Sequence, residues 1–406
     1  MNKILYITYD GVTDPLGQSQ ILPYLNGLSA NGYDIHILSF EKKNTFLRQK
    51  DAVDKIIKES NITWHHQFFT TRPKYISKFY DLHQLKKVTR QLHQKFHFDA
   101  VHCRSYIAAQ AGLLLKNKFG VKLVFDMRGF WIDERIENGQ WDKNNFIFRL
   151  LIKRYREIEK ALLKNADSII TLTKKAKEHL IKASGVSDNK ITIIPCCVDM
   201  VLFSRENIDK SKVAQIKQQL CISDEDYLVV YSGSLGGLYL IEETMLFFKR
   251  IKQYNQNSRL LVLSKITPGQ LKPYLDKNNI NEKDVLLRWS SRIDMPCYLA
   301  LSKIALCFIR PSFSKIASCP TKLPEYLAMG IPTVINAGIG DDDEIIRNAA
   351  CGVILQSFTE PELEKGIAGI SSFLTPQMQA IQCATDHYSL ETGISRYLEV
   401  YKKIFN

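Results

Sequence analysis

Short apolar runs alternate with longer amphipathic stretches along almost the whole chain, and this feature restricts the fold more than any other. Apolar runs of strand length separated by helical stretches are typical of an open parallel sheet covered by helices. In the N-terminal half, strands are predicted over 3–8, 34–40, 100–103, 122–126, 168–171 and 191–194. In the C-terminal half, they are predicted over 227–232, 259–264, 285–287, 304–309, 333–336 and 352–355. The sequence therefore predicts an α/β chain with two doubly wound, Rossmann-like domains.

The chain length and the predicted helices indicate that the two sheets belong to separate domains. A chain of 406 residues exceeds what one hydrophobic core usually supports. Helices are predicted over 20–30, 145–164, 174–184 and 390–405. The polar stretch 199–222 suits a linker with a peripheral helix. We therefore expect domains at 1–200 and 201–385, with a closing helix within 386–406 that returns to the N-terminal domain.

The formal net charge of +13 favours an anionic partner, such as nucleic acid, anionic lipid or a phosphorylated small molecule. No recognised nucleic-acid-binding motif accompanies the charge, so a nucleic-acid partner is not expected. No apolar run approaches the roughly 18 to 20 residues that cross a bilayer. The first nine residues are typical of a strand rather than of a signal peptide. We therefore expect a cytoplasmic protein.

Neither the cysteines nor the acidic residues predict a metal site. The nine cysteines are scattered and form no Cys-x-x-Cys pair, so buried thiols are expected rather than zinc ligands. The acidic run 341–344 follows two glycines and precedes a predicted helix, where N-capping and the helix dipole account for it. No metal and no cofactor are expected.

Residues 310–335 carry the most informative pattern, R-P-S-F-S-K-I-A-S-C-P-T-K-L-P-E-Y-L-A-M-G-I-P-T-V-I. The segment follows a predicted strand, where ligands of doubly wound sheets bind. A helix should start near Thr321 and end at Gly330, which suits a left-handed C-cap. The helix start and Lys322 suit a diphosphate, and Glu325 could accept hydrogen bonds from the two hydroxyls of a ribose. An ordinary helix start, whose first-turn glutamate simply favours the dipole, explains the same residues and stays open.

This segment resembles the signature of retaining glycosyltransferases with the GT-B architecture, especially family 4: Pro-Ser, a small-residue loop, Glu-Ala/Tyr-x-Ala-x-Gly-x-Pro and an apolar strand. Residues 231–235 resemble the turn that opens the second domain of that family, and 194–199 with Phe203 resemble the stretch that closes the first. Residues 10–20 lie where the family has its first glycine-containing loop. The resemblance implies two Rossmann-like domains that face each other across a cleft, with the acceptor on the first domain and the nucleotide sugar on the second.

The resemblance also implies a set of donor-binding residues, in which Lys322 acts as a catalytic charge. These residues are Gly17, Gln18, Gly233, Ser234, Ser318, Cys319, Thr321, Lys322, Leu323 and Glu325. Gly17 and Gln18 would form a loop of the first domain that caps the donor.

A second group of polar residues follows predicted strands of the first domain. Arg128 could meet the donor phosphate or an anionic acceptor, and it is the second catalytic candidate. Asp133 and Glu134 could bind acceptor hydroxyls, and Arg104 follows the strand before them. A surface salt-bridge cluster is the alternative for these residues. His102 ends a strand, where a lone histidine is more often structural.

The chain departs from the family pattern at two places, which leaves other functions open. The family carries two glutamates eight positions apart, but the position eight residues before Glu325 is Ala317. An arginine and a lysine that usually follow the glycine turn are replaced by Ser234 and a residue near Leu240, so Lys322 would take over the phosphate contact. A non-catalytic nucleotide-sugar-binding partner subunit and a GT-B nucleotide-sugar epimerase therefore remain alternatives. A dehydrogenase does not fit, because 233–237 lacks the Gly-x-Gly-x-x-Gly spacing.

Taken with the charge, the resemblance implies a metal-independent hexosyltransferase that uses a nucleotide sugar, with UDP-sugar favoured, and retains the anomeric configuration. The implied acceptor is a glycan or a lipid-linked intermediate of surface polysaccharide synthesis. Two basic regions, 72–96 and 149–164, are interleaved with aromatic or apolar residues and suit peripheral contact with the anionic inner face of a membrane. A solvated helix face is the alternative for both regions.

Overall fold

The computed structural model describes residues 1–73, 76–373 and 377–406, with the backbone alone at residue 76. These residues form two compact units. The first consists of Met1–Pro195 together with Leu390–Asn406, and the second of Cys196–Ser389. Each unit contains one parallel sheet, with seven strands in the first and six in the second.

All strands of the first sheet are parallel, in the order β3-β2-β1-β4-β5-β6-β7. The strands are β1 (Lys3–Thr8), β2 (Asp34–Glu41), β3 (Thr63–Phe68), β4 (Ala100–Arg104), β5 (Lys122–Asp126), β6 (Ser168–Thr171) and β7 (Ile191–Ile193). The helices between them are α1 (Pro15–Gln20), α2 (Leu22–Ala30), α3 (Lys43–Glu59), α4 (Ile76–Phe96), α5 (Ser105–Phe119), α6 (Trp131–Glu137), α7 (Phe146–Asn165) and α8 (Lys174–Ser184). Helices cover both faces of such a sheet, so its inner strands are continuous apolar runs.

The second sheet repeats this topology in the order β10-β9-β8-β11-β12-β13. Its strands are β8 (Tyr227–Ser232), β9 (Ser258–Leu263), β10 (Val285–Arg288), β11 (Ile304–Cys307), β12 (Thr333–Asn336) and β13 (Gly352–Leu355). Its helices are α9 (Lys210–Gln219), α10 (Ile241–Tyr254), α11 (Pro268–Asn278), α12 (Met295–Leu299), α13 (Lys322–Ala328), α14 (Asp342–Ala349), α15 (Glu360–Ile370) and α16 (Met378–Tyr388). The last helix, α17 (Leu390–Phe405), belongs to the first unit and packs against α2.

The predicted fold class is confirmed: the chain is α/β, with two doubly wound parallel sheets. Two local predictions were wrong. Strand β3 was missed because it is an edge strand whose residues, TWHHQF, are mostly polar and partly exposed. The predicted loop around Gly17 and Gln18 is the short helix α1, which Pro15 begins and which an irregular residue, Ile21, separates from α2.

Candidate functional site

The strand order of the second sheet reverses between β8 and β11, and ligands of doubly wound sheets bind outside the carboxyl ends of the strands at such a switch point. Gly233 directly follows β8, and its N–H donates to the Leu263 carbonyl over 3.0 Å. Its φ of +120° lies in a region that favours glycine. A Cβ at this position would lie only 3.1 Å from Lys322 Nζ. Gly233 therefore leaves room for the Lys322 ammonium at the switch point.

Lys322 is the first residue of α13, and it is 4% exposed. Its Nζ lies 4.2 Å from the ring centroid of Tyr231 and 3.7 Å from that of Tyr239, within reach of cation–π attraction. Among the described residues, none forms a hydrogen bond with this Nζ. Burial lowers the pKa of Lys322 to about 8. Because a buried ammonium without a hydrogen-bond partner is costly, this position suits an anionic ligand.

The local structure of α13 agrees with the prediction from the sequence. Thr321 is its N-cap, Pro324 lies in its first turn, and Gly330 adopts a left-handed φ of +64° just beyond it. The helix has only seven residues, so Lys322 supplies the main positive charge at this position rather than the helix dipole. Tyr326 fixes α13 to the end of β8, because its hydroxyl accepts a hydrogen bond from the Ser232 N–H over 2.8 Å. No pattern in the sequence indicated this contact.

Glu325 lies one turn beyond the start of α13, and Arg292 Nη1 donates to its Oε1 over 3.3 Å. The two side chains are 16% and 18% exposed. Burial raises the pKa of Glu325 to about 7, although Arg292 and Lys322 oppose the shift. The Arg292 guanidinium also lies 5.4 Å from the ring centroid of Phe203. Sequence reasoning missed Arg292; its place in the loop after β10, at the carboxyl edge of the sheet, is the one signal that could have indicated it.

The remaining donor-site candidates of the second unit differ in their surroundings. Ser234 is exposed, and its carbonyl accepts a hydrogen bond from the Tyr231 hydroxyl. Ser318 and Thr321 are partly buried beside Lys322 in sequence. The Cys319 thiol is buried and hydrogen-bonds with the Cys196 thiol. Leu323 is fully buried, so its side chain belongs to the core.

In the first unit, packing explains Gly17 and Gln18. A Cβ at Gly17 would lie 2.3 Å from the Gly11 carbonyl oxygen, so α1 can approach the loop after β1 only with glycine here. Gln18 Nε2 donates to the Thr13 carbonyl over 3.0 Å. The buried Glu41, which sequence reasoning missed, accepts hydrogen bonds from the N–H groups of Val12 and Thr13 and from the Thr13 hydroxyl. This loop is therefore held from within its own unit.

Arg104 and Arg128 both approach the buried carboxylate of Asp126, at 3.9 Å and 3.8 Å. His102 Nε2 lies 3.7 Å from it, and the Tyr397 hydroxyl donates to it over 3.2 Å. Burial alone would raise the pKa of Asp126, but Arg128, His102 and Arg104 together lower it below its ordinary value. His102 is fully buried and its Nδ1 lies 2.9 Å from the Tyr401 hydroxyl, contacts that agree with a structural role for this histidine. The structure thus places Arg104 and Arg128 around one buried carboxylate.

Asp133 and Glu134 lie in the first turn of α6. Asp133 pairs with Arg156, which also donates to Glu159 over 3.0 Å. For Asp133 the salt-bridge alternative therefore describes the contact that is seen.

The model of Glycosyltransferase Family 4 matches residues 20–201 of the chain. The N-terminal part of the chain is therefore similar to glycosyltransferase family 4. It is 25% identical to the chitobiosyldiphosphodolichol beta-mannosyltransferase of Candida albicans over 62% of the chain and 55% of that protein. It is 21% identical to a D-inositol 3-phosphate glycosyltransferase of Segniliparus rotundus over 68% of the chain and 59% of that protein. The chain thus spans little more than half the length of these curated relatives.

Solved structures show the same fold over the whole chain. A glycosyltransferase from Rickettsia africae covers 100% of the chain and 99% of its own length, with a TM-score of 0.73 and 16% identity. Anabaena HepE, solved in complex with UDP and glucose, covers 99% of the chain and 100% of its own length, with a TM-score of 0.73 and 13% identity. At these identities the likeness concerns the fold alone.

The structure shows the surroundings of Ala317 and of the acidic run 341–344, both of which the sequence singled out. Ala317 ends the 3₁₀ turn Phe313–Ala317 and is buried, so no carboxylate stands where the resemblance implies the first glutamate. In the acidic run, Asp341 is the N-cap of α14, but Asp342 is buried and accepts a hydrogen bond from the Tyr388 hydroxyl over 3.0 Å. Asp341 makes no side-chain capping hydrogen bond, so the predicted N-capping is not seen. Asp342, Asp343 and Glu344 lie in the first turn, where the helix dipole favours them.

The described ranges contain neither a cluster of metal-binding side chains nor a helix that could span a membrane. Across 1–73, 76–373 and 377–406, no three His, Cys, Asp or Glu side chains are grouped so as to hold a metal ion. Within the same ranges, every helix is too short or too polar to span a membrane.

Proposed function

We propose that this chain is a glycosyltransferase that moves a hexosyl group from a nucleotide sugar, with a UDP-sugar favoured, to a glycan or lipid-linked acceptor. The observation that carries the proposal is the buried Lys322 ammonium, which lacks a hydrogen-bond partner among the described residues and lies against Gly233 at the switch point of the second sheet. A diphosphate would supply both the hydrogen-bond acceptors and the negative charge that this ammonium needs. The match to the Glycosyltransferase Family 4 model and the glycosyltransferase names of the relatives support sugar transfer.

In the proposed donor complex, Glu325 accepts hydrogen bonds from the ribose hydroxyls, and Arg292 keeps its carboxylate in place. Lys322 binds the diphosphate. Gly233, Ser234, Ser318, Cys319 and Thr321 lie in the loops after β8 and β11. Their backbone groups, rather than the buried Leu323 side chain, would complete the site.

Negative charge develops on the leaving phosphate as the glycosidic bond loosens, and Lys322 would stabilise that charge in a site with little water. Family resemblance implies that the configuration is retained and that the leaving phosphate takes the proton of the acceptor. Of the first-unit residues, Arg128 is proposed to contact phosphate or an anionic acceptor, and Arg104, Asp133 and Glu134 to contact the acceptor. The proposed setting is the cytoplasmic face of a membrane, in surface polysaccharide synthesis and without a metal.

Thermal unfolding of the purified protein with UDP, GDP, ADP or NAD, in EDTA, tests the donor site. We expect one nucleoside diphosphate to stabilise the wild type, and Lys322→Ala and Glu325→Ala to lose that stabilisation. Lys283→Ala, which changes an exposed lysine of the same unit, is the matched control and should respond like the wild type. A response to NAD alone, or to no nucleotide, would contradict the proposal.

Turnover separates a transferase from a non-catalytic binding protein. Release of the nucleoside diphosphate from the donor that matches the stabilising nucleotide should be measurable with a lipid-linked glycan acceptor. Binding without release would favour the partner-subunit alternative, which the buried Ala317 motivates.

A further inference from the structure

The net positive charge of the chain comes entirely from one of its two units. The first unit contains 35 Lys and Arg residues and 21 Asp and Glu residues, a net charge of +14. The second contains 20 and 21, a net charge of −1. A ligand such as a nucleotide needs only a few positive groups at its site, so an excess of this size on one unit indicates an extended anionic partner.

Large apolar side chains are exposed at the starts of two helices of this basic unit. On α4, Phe79 and Tyr80 are 66% and 52% exposed. On α7, Phe146, Ile147 and Leu150 are 64%, 71% and 54% exposed. Single exposed apolar residues are ordinary, but clusters of them mark interaction surfaces.

The two helix starts lie at the same edge of the first sheet. Both α4 and α7 lead back from the carboxyl end of one parallel strand to the amino end of another, and α5 packs against both. The Tyr9 hydroxyl, just after β1, donates to Asp81 of α4 over 2.9 Å, which places the start of α4 at the carboxyl edge. Further along, burial and the Arg154 guanidinium of α7 lower the pKa of Lys86 of α4, so the two helices are within electrostatic reach.

Basic residues surround these apolar side chains, and acidic residues are scarce among them. Between Lys143 and Arg156 the chain contains five basic residues and no Asp or Glu. Arg149 lies 5.9 Å from the ring centroid of Phe146. On α4, Lys78, Lys87 and Arg90 are exposed and the single acidic residue, Asp81, is buried. Lys74 and Tyr75, which the sequence assigns to the same basic region, lie outside the described residues.

We propose that the docking face, formed by Phe79, Tyr80, Phe146, Ile147 and Leu150 with the basic residues Lys78, Lys143, Arg149, Lys153 and Arg154, holds the chain on an anionic lipid bilayer. Apolar side chains enter the interface, while lysine and arginine pair with anionic headgroups. Protein interfaces are depleted of lysine at their centre, unlike this face. A second copy is disfavoured because two units of like charge would repel.

The docking face also limits the class of acceptor to one that is attached to a membrane lipid. This inference rests on the proposed function. It lies at the carboxyl edge of the first sheet, the edge where ligands of such sheets bind. An acceptor whose lipid remains in the bilayer would present its sugar or phosphate at that edge. Binding of the chain to a bilayer would not bring a water-soluble acceptor closer to that edge.

Co-sedimentation with vesicles tests the docking face. Wild-type protein should bind phosphatidylcholine vesicles with about one third phosphatidylglycerol, and bind pure phosphatidylcholine at least about tenfold less. The variants Phe146→Ser/Ile147→Ser and Arg149→Glu/Lys153→Glu should each lose about tenfold in binding to the anionic vesicles. Their controls are Leu47→Ser, 79% exposed on α3, and Lys118→Glu/Lys122→Glu, which makes the same charge change at the amino edge of the same sheet. Both controls should bind like the wild type.

Three results would overturn the docking face: equal binding to both vesicle types, unchanged binding of the two docking variants, or a wild-type dimer that Phe146→Ser/Ile147→Ser dissociates. Stabilisation by UDP is measured on every variant. Its retention shows that the variants are folded and keeps the two proposals separate. If UDP does not stabilise the wild type, the proposed donor site and the inference about the acceptor are contradicted. Vesicle binding would still test the docking face independently.

Discussion

At the scale of single residues, Lys322 combines burial, a positive charge and the lack of a hydrogen-bond partner among the described residues. With a pKa of about 8, it is mostly protonated at pH 7 and mostly neutral at pH 9. A diphosphate keeps its charge over this range, because its last proton leaves near pH 6. We therefore expect UDP affinity to fall by up to about tenfold between pH 7 and 9. Titration calorimetry should show this fall in the wild type and, in Lys322→Met, a weak affinity that does not fall with pH.

In the absence of ligand, the buried Lys322 should lower the free energy of unfolding. The pKa of Lys322 is lower in the folded chain than its ordinary value of 10.5, so the unfolded chain binds more protons between pH 8 and 10.5. The free energy of unfolding should therefore rise through that window, by at most about 3 kcal/mol. Lys322→Met should be more stable than the wild type at pH 7, and its free energy of unfolding should not show this rise between pH 8 and 10.5. A destabilised Lys322→Met would show that the ammonium has a stabilising partner.

Arg292 should control the protonation of Glu325. The carboxylate has a pKa of about 7 beside Arg292, and its loss should move the pKa higher still. A protonated Glu325 is a poorer acceptor for ribose hydroxyls, so Arg292→Ala should reduce the preference for UDP over 2′-deoxy-UDP at pH 7 and recover part of it at pH 9. Glu325→Gln should lack the preference at both pH values. An Arg292→Ala variant with a pH-independent preference would contradict this coupling.

These residues also show how far sequence reasoning reaches into the site. Lys322 and Glu325 were identified because the Pro-Thr-Lys-Leu-Pro-Glu order sets their places on one helix turn. Arg292 and Tyr326 were not, since their contacts join segments 33 and 94 positions apart in the chain. Leu323 and Gly17 were assigned to the donor by sequence adjacency or family position, whereas the structure buries the first and packs the second against backbone.

At the scale of elements, strands with apolar residues on both faces were predicted within a few residues, because burial on both faces leaves a continuous apolar run. The edge strand β3 and the helix α1 were missed, since each depends on neighbours for its stability. Among the described strands, β3 pairs with β2 alone. Helix α1 has six residues and includes Gly17, and only its packing on the loop after β1 explains it.

Two helix glycines permit a matched test of that packing. A Cβ at Gly17 would meet backbone, 2.3 Å from the Gly11 oxygen, whereas the nearest atoms to one at Gly27 belong to the Ile394 side chain, with Cδ1 at the same distance. Alanine favours a helix by up to about 1 kcal/mol over glycine, so backbone collision must exceed that gain to destabilise. Gly17→Ala should therefore lower the unfolding free energy by about 2 kcal/mol or more. Gly27→Ala should cost less in the same urea titration, and the reverse order would contradict the packing seen here.

At the scale of the whole molecule, the two units share one topology but carry different candidate functional residues. The second unit carries Lys322, Glu325 and Arg292 with almost no net charge, and the first carries the positive charge and the docking face. The sequence composition revealed the net positive charge, but not that the first unit accounts for all of it. That division depends on the boundaries at 195/196 and 389/390, which are set by where α17 packs.

This division predicts that the two ligands protect different parts of the chain from hydrogen exchange. UDP should slow exchange within 231–240 and 318–326, where the proposed donor contacts lie. Anionic vesicles should slow it within 76–90 and 143–156, at the starts of α4 and α7, because contact with lipid restricts the opening of those turns. Each ligand added alone should leave the segments of the other unchanged. Protection of 231–240 by vesicles, or of 143–156 by UDP, would show that the two units do not divide the chemistry in this way.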